Sequence, residues 1–460
     1  MIVTTIKDQV AAEAAIAERA WTDVIGAAMA AVADCFTRRE PRLLAGEMCE
    51  AMLMELDTRN CWTLAEALGH CGPHRLQHFL ARARVDHDLA RDRLAAWITS
   101  ELADDQAVLV VDETGDEKSC TDAVGAAHQY SGALGGVGLC QVAVHLTYAS
   151  RRGHAMIDRE LYLTAAWAAD EERRLLTHVP DEREFATKPQ LSAGMLERAS
   201  TLGIHARWMA ADEVYGGREL RLAARRLGFD YTVAVKTDHR VATSAGTFTA
   251  AELAGQVPKN AWARMRTGHG LKGDRHYDWA LIDVPADDTP TGHAAGHSHL
   301  VIRRHRYTGE LSFYRCYCAT LVALATLVEV ICCRWKIEED FQLGKSACGL
   351  DQGQTTCWNS WMRWSLISML AAAVLAVTRL RTTAHATRGR LVPVSARELL
   401  RLLRATVLPR PRRDLDHLLH WSAWRRQHQR RAAAAHRLWN NITADATTWP
   451  HREDQEPQLP

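Results

Sequence analysis

Apolar residues recur at helical spacing through the first hundred positions. Ala14 to Phe36 is Ala-rich with apolar residues three and four apart, and a second such stretch runs from Leu43 to Leu56. Two shorter stretches, Cys61 to Gly69 and His74 to Arg84, flank a Gly72-Pro73 break, and another helix is predicted over Asp88 to Leu102. At Ala107 the period changes. Ala107-Val108-Leu109-Val110-Val111 is short, apolar and β-branched, and it runs into Asp112-Glu113-Thr114-Gly115. Strand patterns follow at Cys140 to Tyr148 and His154 to Leu163, joined as an antiparallel hairpin across Arg151-Arg152-Gly153. The glycine-rich stretch Gln129 to Gly138 reads as a turn packed close to the first strand, because no Gly-Lys-Ser/Thr follows to make a phosphate loop. Then come a helix at Leu191 to Leu202, a strand from His205 ending in Asp212, a helix at Arg218 to Leu227 and a strand at Phe229 to Lys236. That order predicts an α/β fold: a mixed sheet with helices on its faces.

From Thr237 to about Arg315 the alternation is β-like, with candidate strands at Ala261 to Met265, Tyr277 to Val284, His299 to Arg306 and Leu311 to Tyr317. It reads as an all-β insertion between the last sheet strand and a long helix that starts near Leu321 and continues to Lys345. Trp358 to Arg381 is an apolar helix backing the sheet. The predicted organisation is a helical unit over residues 1–103, a mixed-sheet core over 104–236, the β-rich insertion over 237–318, the rest of the core over 319–380 and a basic helical region over 381–460, disordered from Thr447 on.

Length permits two to four structural units, since the chain has 460 residues. Net charge is only +1, but the charges are segregated: Arg379 to Arg437 holds fifteen Arg against three acids. A DNA-tracking tail and a solvated helical tail both fit that stretch. None of the twelve Cys forms a Cys-x-x-Cys pair, and the spacing of Cys61, Cys71, His74 and His78 does not fit a zinc finger. With no apolar leader and with apolar runs too short for a membrane span, a reduced, cytoplasmic, non-membrane protein is expected.

The helices around Gly72-Pro73 suit a helix-turn-helix whose second member carries Arg75, Gln77, His78, Arg82 and Arg84; a purely structural helical hairpin fits them too. The insertion is basic at Lys272, Arg275 and Arg303 to Arg306, and its aromatics Trp279, Tyr307, Phe313 and Tyr314 are read as core before base-stacking groups. On the long helix, Ile331, Arg334, Glu338, Gln342 and Lys345 share one stripe while Glu339 points away. A solvated salt-bridge face would look the same. Asp112 and Asp212 at strand ends, however, add two more acids at places where sheets deliver side chains to ligands. Three carboxylates suit two Mg²⁺ ions roughly 4 Å apart, with Mn²⁺ as a substitute, leaving positions for water and phosphate. Arg334 and Lys345 would then hold phosphates.

These segments resemble the DDE transposases of bacterial insertion sequences, in particular the cut-and-paste group with a Tyr-x2-Arg-x3-Glu-x6-Lys signature. Arg334, Glu338 and Lys345 match it, and Ile331 stands at the Tyr position. Asp112-Glu113-Thr114-Gly115, Gln129-Tyr130-Ser131-Gly132, Trp167 to Asp170, Thr187-Lys188-Pro189, Ala211-Asp212-Glu213, Lys272-Gly273 with Tyr277-Asp278-Trp279, and Gly349-Leu350-Asp351 occur in the same order as that family's blocks, over residues 60 to 378. The resemblance implies an RNase-H-like core and Mg²⁺-dependent cleavage and strand transfer. It also implies double-stranded DNA partners, both terminal inverted repeats and target, and a homodimer or larger assembly on DNA. A non-cleaving DNA-binding regulator and a nuclease without joining activity are the alternatives.

Overall fold

The structure, a computed structural model, describes residues 5–270, 273–385 and 391–447. Five helices come first: α1 (Ile6–Ala31), α2 (Arg39–Leu53), α3 (Cys61–Ala67), α4 (His74–Arg82) and α5 (His87–Glu101). Polar caps set the starts of α1, α3 and α5. Thr5 accepts from the Asp8 amide while Asp8 accepts from the Thr5 amide, and Asn60 accepts from the amides of Trp62 and Thr63.

The sheet begins with β1 (Val108–Glu117), β2 (Ala127–Ser131), β3 (Gly136–Ala149) and β4 (His154–Tyr162). Three helices, α6 (Ala165–Ala168), α7 (Glu171–Thr177) and α8 (Lys188–Thr201), lead to β5 (Trp208–Ala211), α9 (Arg218–Arg226) and β6 (Asp230–Val235). The expected β3–β4 hairpin is present. The glycine-rich stretch is more than a turn: it supplies β2 and the start of β3, paired from Ala127 opposite Cys140 to Ser131 opposite Gly136. A ladder of backbone hydrogen bonds tolerates Gly136 and Gly138 because it asks nothing of their side chains.

Beyond β6 lie β7 (Arg240–Thr243), β8 (Gly246–Thr249), α10 (Ala250–Gly255), β9 (Ala263–Gly270), β10 (Gly273–Asp283), β11 (His297–Arg304) and β12 (Leu311–Cys318). The segment expected to be all β thus contains a helix, started by a Thr249–Glu252 capping box. Its last four strands also join the main sheet, whose order is β2-β3-β1-β5-β6-β12-β11-β10-β9, with β4 on β3. Among the described residues, only β1–β5 and β5–β6 pair in parallel. The join is β12 on β6, from Phe313 opposite Val235 to Tyr317 opposite Tyr231. Phe313 to Cys318 is buried without alternation, as a strand covered on both faces must be. Trp279, Phe313 and Tyr314 are core residues, whereas Tyr307 is exposed. Lys272 lies outside the described residues, as does the chain from Thr448 on.

The β10–β11 connection is clamped by charge. Asp288, fully buried, accepts from Arg221 at 2.9 Å and Arg225 at 2.7 Å, and Asp287 accepts from Arg221 at 2.7 Å and Arg315 at 2.8 Å. Removing one partner from such a buried network leaves uncompensated charge and is strongly destabilising.

The long helix expected through Lys345 is two helices, α11 (Leu324–Cys333) and α12 (Trp335–Cys348), meeting at Arg334. No Gly or Pro breaks it. The two halves lie mostly on different parts of the sheet, α11 on β5, β6 and β9 and α12 on β3 and β4, with β1 touching both. Gly349, at φ 63°, ends α12 in a conformation only Gly adopts readily. Next, α13 (Trp358–His385) is long and apolar enough by length and composition to cross a membrane, contrary to the expectation that no run suffices. Of its most apolar stretch, 94% is buried here among α1, α2, α5, α12 and β4. Finally come α14 (Ala396–Thr406) and α15 (Leu415–Thr447).

His154 pins α12 to the β3–β4 hairpin, its Nδ1 at 2.8 Å from Asp340 and its Nε2 at 3.1 Å from Glu339. Burial by itself would push its pKa down. The charge and hydrogen bond of Asp340, with the hydrogen bond of Glu339, outweigh burial and raise it to about 9. A raised histidine pKa stabilises the fold fully below the unfolded value, roughly 6.5, and loses that contribution as pH rises through the folded value. Denaturant unfolding followed against pH should therefore show the wild type losing on the order of 2–3 kcal/mol between about pH 6.5 and 9.5 relative to His154→Gln. Parallel curves for the two proteins would refute this.

Candidate active site

Parallel pairing brings the first two acids together. Val108 to Val111 of β1 lie opposite Trp208 to Ala211 of β5, so Asp112 and Asp212 follow the last paired residues of adjacent strands. Asp112 does not end its strand, as the sequence pattern suggested. β1 runs on to Glu117 against β3, with Asp112 opposite His145, and only its pairing with β5 stops there. Asp212 starts a short 3-10 turn, Glu213–Tyr215, and accepts from the Val214 amide at 2.9 Å.

The third acid arrives on α12. Arg334, at the α11–α12 junction, places one guanidinium nitrogen 2.9 Å from Asp112 and 3.7 Å from Glu338. Asp112 is buried while Glu338 is about two-fifths exposed, so the guanidinium spans from the sheet edge to open cleft. Burial first, then the charge of Asp212, push the pKa of Asp112 up to about 8, with Arg334 opposing and Glu338 adding to the rise. Asp212 is also raised, by burial and then by the charge of Glu113. Neighbouring carboxyls disfavour one another's ionisation, and an all-oxygen donor set is the chemistry of a hard divalent ion. As they stand the three carboxyls line one cleft without closing on a point: among the described residues no group of three or more His, Cys, Asp or Glu is gathered closely enough to hold a metal.

Lys345 also lines the cleft, but it is engaged elsewhere. Its Nζ donates to the Gly115 carbonyl at 2.9 Å and lies 3.7 Å from Asp116, so it fastens α12 to β1. The cleft measures about 2010 Å³ and is also lined by Tyr130, Arg266, Arg303 and Trp335. Arg75, Gln77, Arg82 and Arg84 are exposed on or just after α4, and none lines this cleft.

Sequence reasoning passed over Glu113. It accepts from Lys188 Nζ at 2.7 Å and from the Tyr215 hydroxyl, tying β1 to α8 and to the turn that carries Asp212. The signal was available, since Glu113 and Lys188 both stand in blocks already singled out, but their partnership is non-local. Trp335, more than half exposed beside Arg334, and exposed Tyr130 were likewise unassigned.

A family model described as DDE superfamily endonuclease matches residues 31–260, half of the sequence. The chain belongs to the DDE superfamily endonucleases. A second model, the transposase DDE domain, matches residues 185–374. Together the two take in Asp112, Asp212 and Glu338. A probable transposase for insertion sequence element IS701 of Microchaete diplosiphon is 23% identical over 198 residues, which cover 41% of this chain and 47% of that protein. The match thus spans about half the length of that relative. A solved piggyBac transposase synaptic complex with hairpin DNA aligns over 81% of this chain and 71% of that one, at 11% identity and a TM-score of 0.41.

The cleft rim near the acids depends on one glycine. A Cβ at Gly115 would fall 2.2 Å from Ser131 Oγ and 2.8 Å from its Cβ, so the β2–β3 hairpin tip can lie over β1 only because that Cβ is missing. Gly115→Ala should cost about 1–3 kcal/mol in denaturant unfolding, and adding Ser131→Gly should restore much of it. A double variant no more stable than Gly115→Ala alone would show that the contact is not the cause.

Proposed function

We propose that this chain is a DNA transposase whose catalytic centre is Asp112, Asp212 and Glu338, within an RNase-H-like core, and that it cleaves and transfers DNA strands at insertion-sequence ends. The observation that carries the reading is that Asp112 and Asp212, from the adjacent strands β1 and β5, and Glu338 of α12 line one open cleft, with Arg334 bridging Asp112 and Glu338. Asp112, Asp212 and Glu338 would hold Mg²⁺, with Mn²⁺ as a substitute. Two such ions, when bound, supply Lewis-acid stabilisation of the attacking and leaving oxygens of an in-line phosphodiester displacement.

The chain's own residues do the rest. Arg334 holds Asp112 and Glu338 against their mutual repulsion, and it exchanges that contact for a phosphate oxygen when substrate enters. Lys345 keeps α12 in register on β1. Arg266 and Arg303 in the cleft wall receive the backbone of the DNA. Arg75, Gln77, Arg82 and Arg84 lie outside the cleft and read the inverted repeat, in a dimer or larger assembly that pairs two ends.

Asp112→Ala, Asp212→Ala and Glu338→Ala should each abolish cleavage of an end-bearing duplex with Mg²⁺. Binding to that duplex should stay within about tenfold, because phosphate contacts carry most of the affinity. Cleavage retained by any of the three would overturn the assignment. Wild-type protein that binds but never cuts would identify a regulator, and breaks without joined products would identify a nuclease.

A further inference from the structure

α15 changes character along its length. Its first turns are seated on α3 and α4: the Trp421 indole donates to the His70 carbonyl at 3.0 Å, and Trp424 meets Trp62 edge-on at 4.9 Å and stacks on His428 at 5.2 Å. From Arg426 to Ile442 the helix is exposed on nearly every side. Its arginines are not spread evenly around it. At about 100° per residue, three of the four, Arg426, Arg430 and Arg437, fall within about 40° of one another, while Arg431 lies off that stripe. That stripe lies opposite the face carrying Trp421, Trp424 and His428, so it points away from the body of the protein.

These arginines differ from others in the same region. Arg401, Arg412 and Arg425 are neutralised by Glu398, Asp414 and Glu66. Arg426, Arg430 and Arg437 have no ion pair among the described residues, and no acid occurs between Asp416 and Asp445. A merely solvated helical face would carry acids three or four residues from its cations. An acid-free stripe repels itself unless a polyanion lies along it.

The position narrows the partner. Trp424 also lies 5.8 Å from the His74 ring, at the first residue of α4. That is the end a helix-turn-helix presents to base edges, so α15 starts next to the surface a duplex would reach, and its arginine stripe extends away from it. We propose that the Arg426–Arg430–Arg437 stripe is a second, sequence-independent contact for duplex DNA, spanning about 16 Å of its backbone. This rests on the transposase reading.

The test is fluorescence anisotropy of the full chain with two labelled duplexes, one carrying the end sequence and one unrelated, over a range of salt. Arg426→Ala/Arg430→Ala/Arg437→Ala is compared with Arg19→Ala/Arg38→Ala/Arg39→Ala, which removes the same charge from exposed positions on or near α1 and α2. Each lost phosphate contact lowers the slope of log affinity against log salt by about 0.9, so the α15 variant should lose roughly 2 to 3 units on both duplexes, and the control less than 1. Equal slopes for the two variants would overturn the proposal while leaving the transposase reading intact, as would tighter binding by the α15 variant. Loss of self-association in sedimentation without a change of slope would assign the stripe to a second copy instead. Wild-type protein that binds neither duplex would sink both readings.

Discussion

The guanidinium of Arg334 is the hinge of this structure's electrostatics. Parallel pairing of β1 with β5 sets Asp112 beside Asp212, and burial there already penalises their charged forms. Without a cation between sheet and helix, Glu338 would add a third like charge. The fold therefore has to deliver Arg334 to within hydrogen-bond distance of Asp112, and the break between α11 and α12 is the means. An unbroken helix would have to choose between packing α11 on β5 and β6 and packing α12 on β3 and β4.

Holding α12 to that place takes several independent fastenings. Asp340 accepts from Thr147 at 2.9 Å and pairs with His154, Lys345 donates to Gly115, and Gly349 turns the chain so that its carbonyl can accept from the Trp364 indole at 2.8 Å. The helical N-terminal segment is tied to the same frame by buried charge rather than by apolar contact alone. Arg91 of α5 reaches Asp158 of β4 at 3.6 Å, and Asp158 is held by Arg198 of α8 at 2.9 Å. Apolar replacements of such a network are often as stable, so its value lies in register: each charge accepts few alternative positions, and an error in strand or helix placement strands one of them in the interior.

What the sequence disclosed and what it withheld divide along the range of the interaction. The strands carrying Asp112 and Asp212 were legible because β-branched runs signal strands locally, and the stripe of Arg334, Glu338 and Lys345 because helical spacing is local too. That Asp112 sits inside its strand was not, since β1 continues only through its pairing with β3, more than twenty residues on in the chain. The same holds for β12 finding β6, which turns an expected separate insertion into sheet, and for the burial of Trp421 under a turn some 350 residues earlier. Lys345 is the instructive middle case. Its position on the stripe was read correctly, but its partner, the Gly115 carbonyl, belongs to tertiary structure.

The two basic elements follow from opposite constraints. In the cleft, Arg334 is an internal counter-ion, and a single positive charge cannot balance Asp112, Asp212 and Glu338 together. On the proposed reading, the three acids would hold divalent ions that complete this balance, and Arg334 would be free to take a phosphate oxygen. Along α15 the balance is reversed: cations stand together with no acid between Asp416 and Asp445, and tryptophan packing at one end fixes the direction in which they point. A site that would bind metal keeps carboxyls partly buried inside the sheet, where desolvation makes their charge costly until a cation meets it. A surface that must bind a polyanion keeps surplus positive charge exposed, where solvent makes it tolerable until the partner arrives.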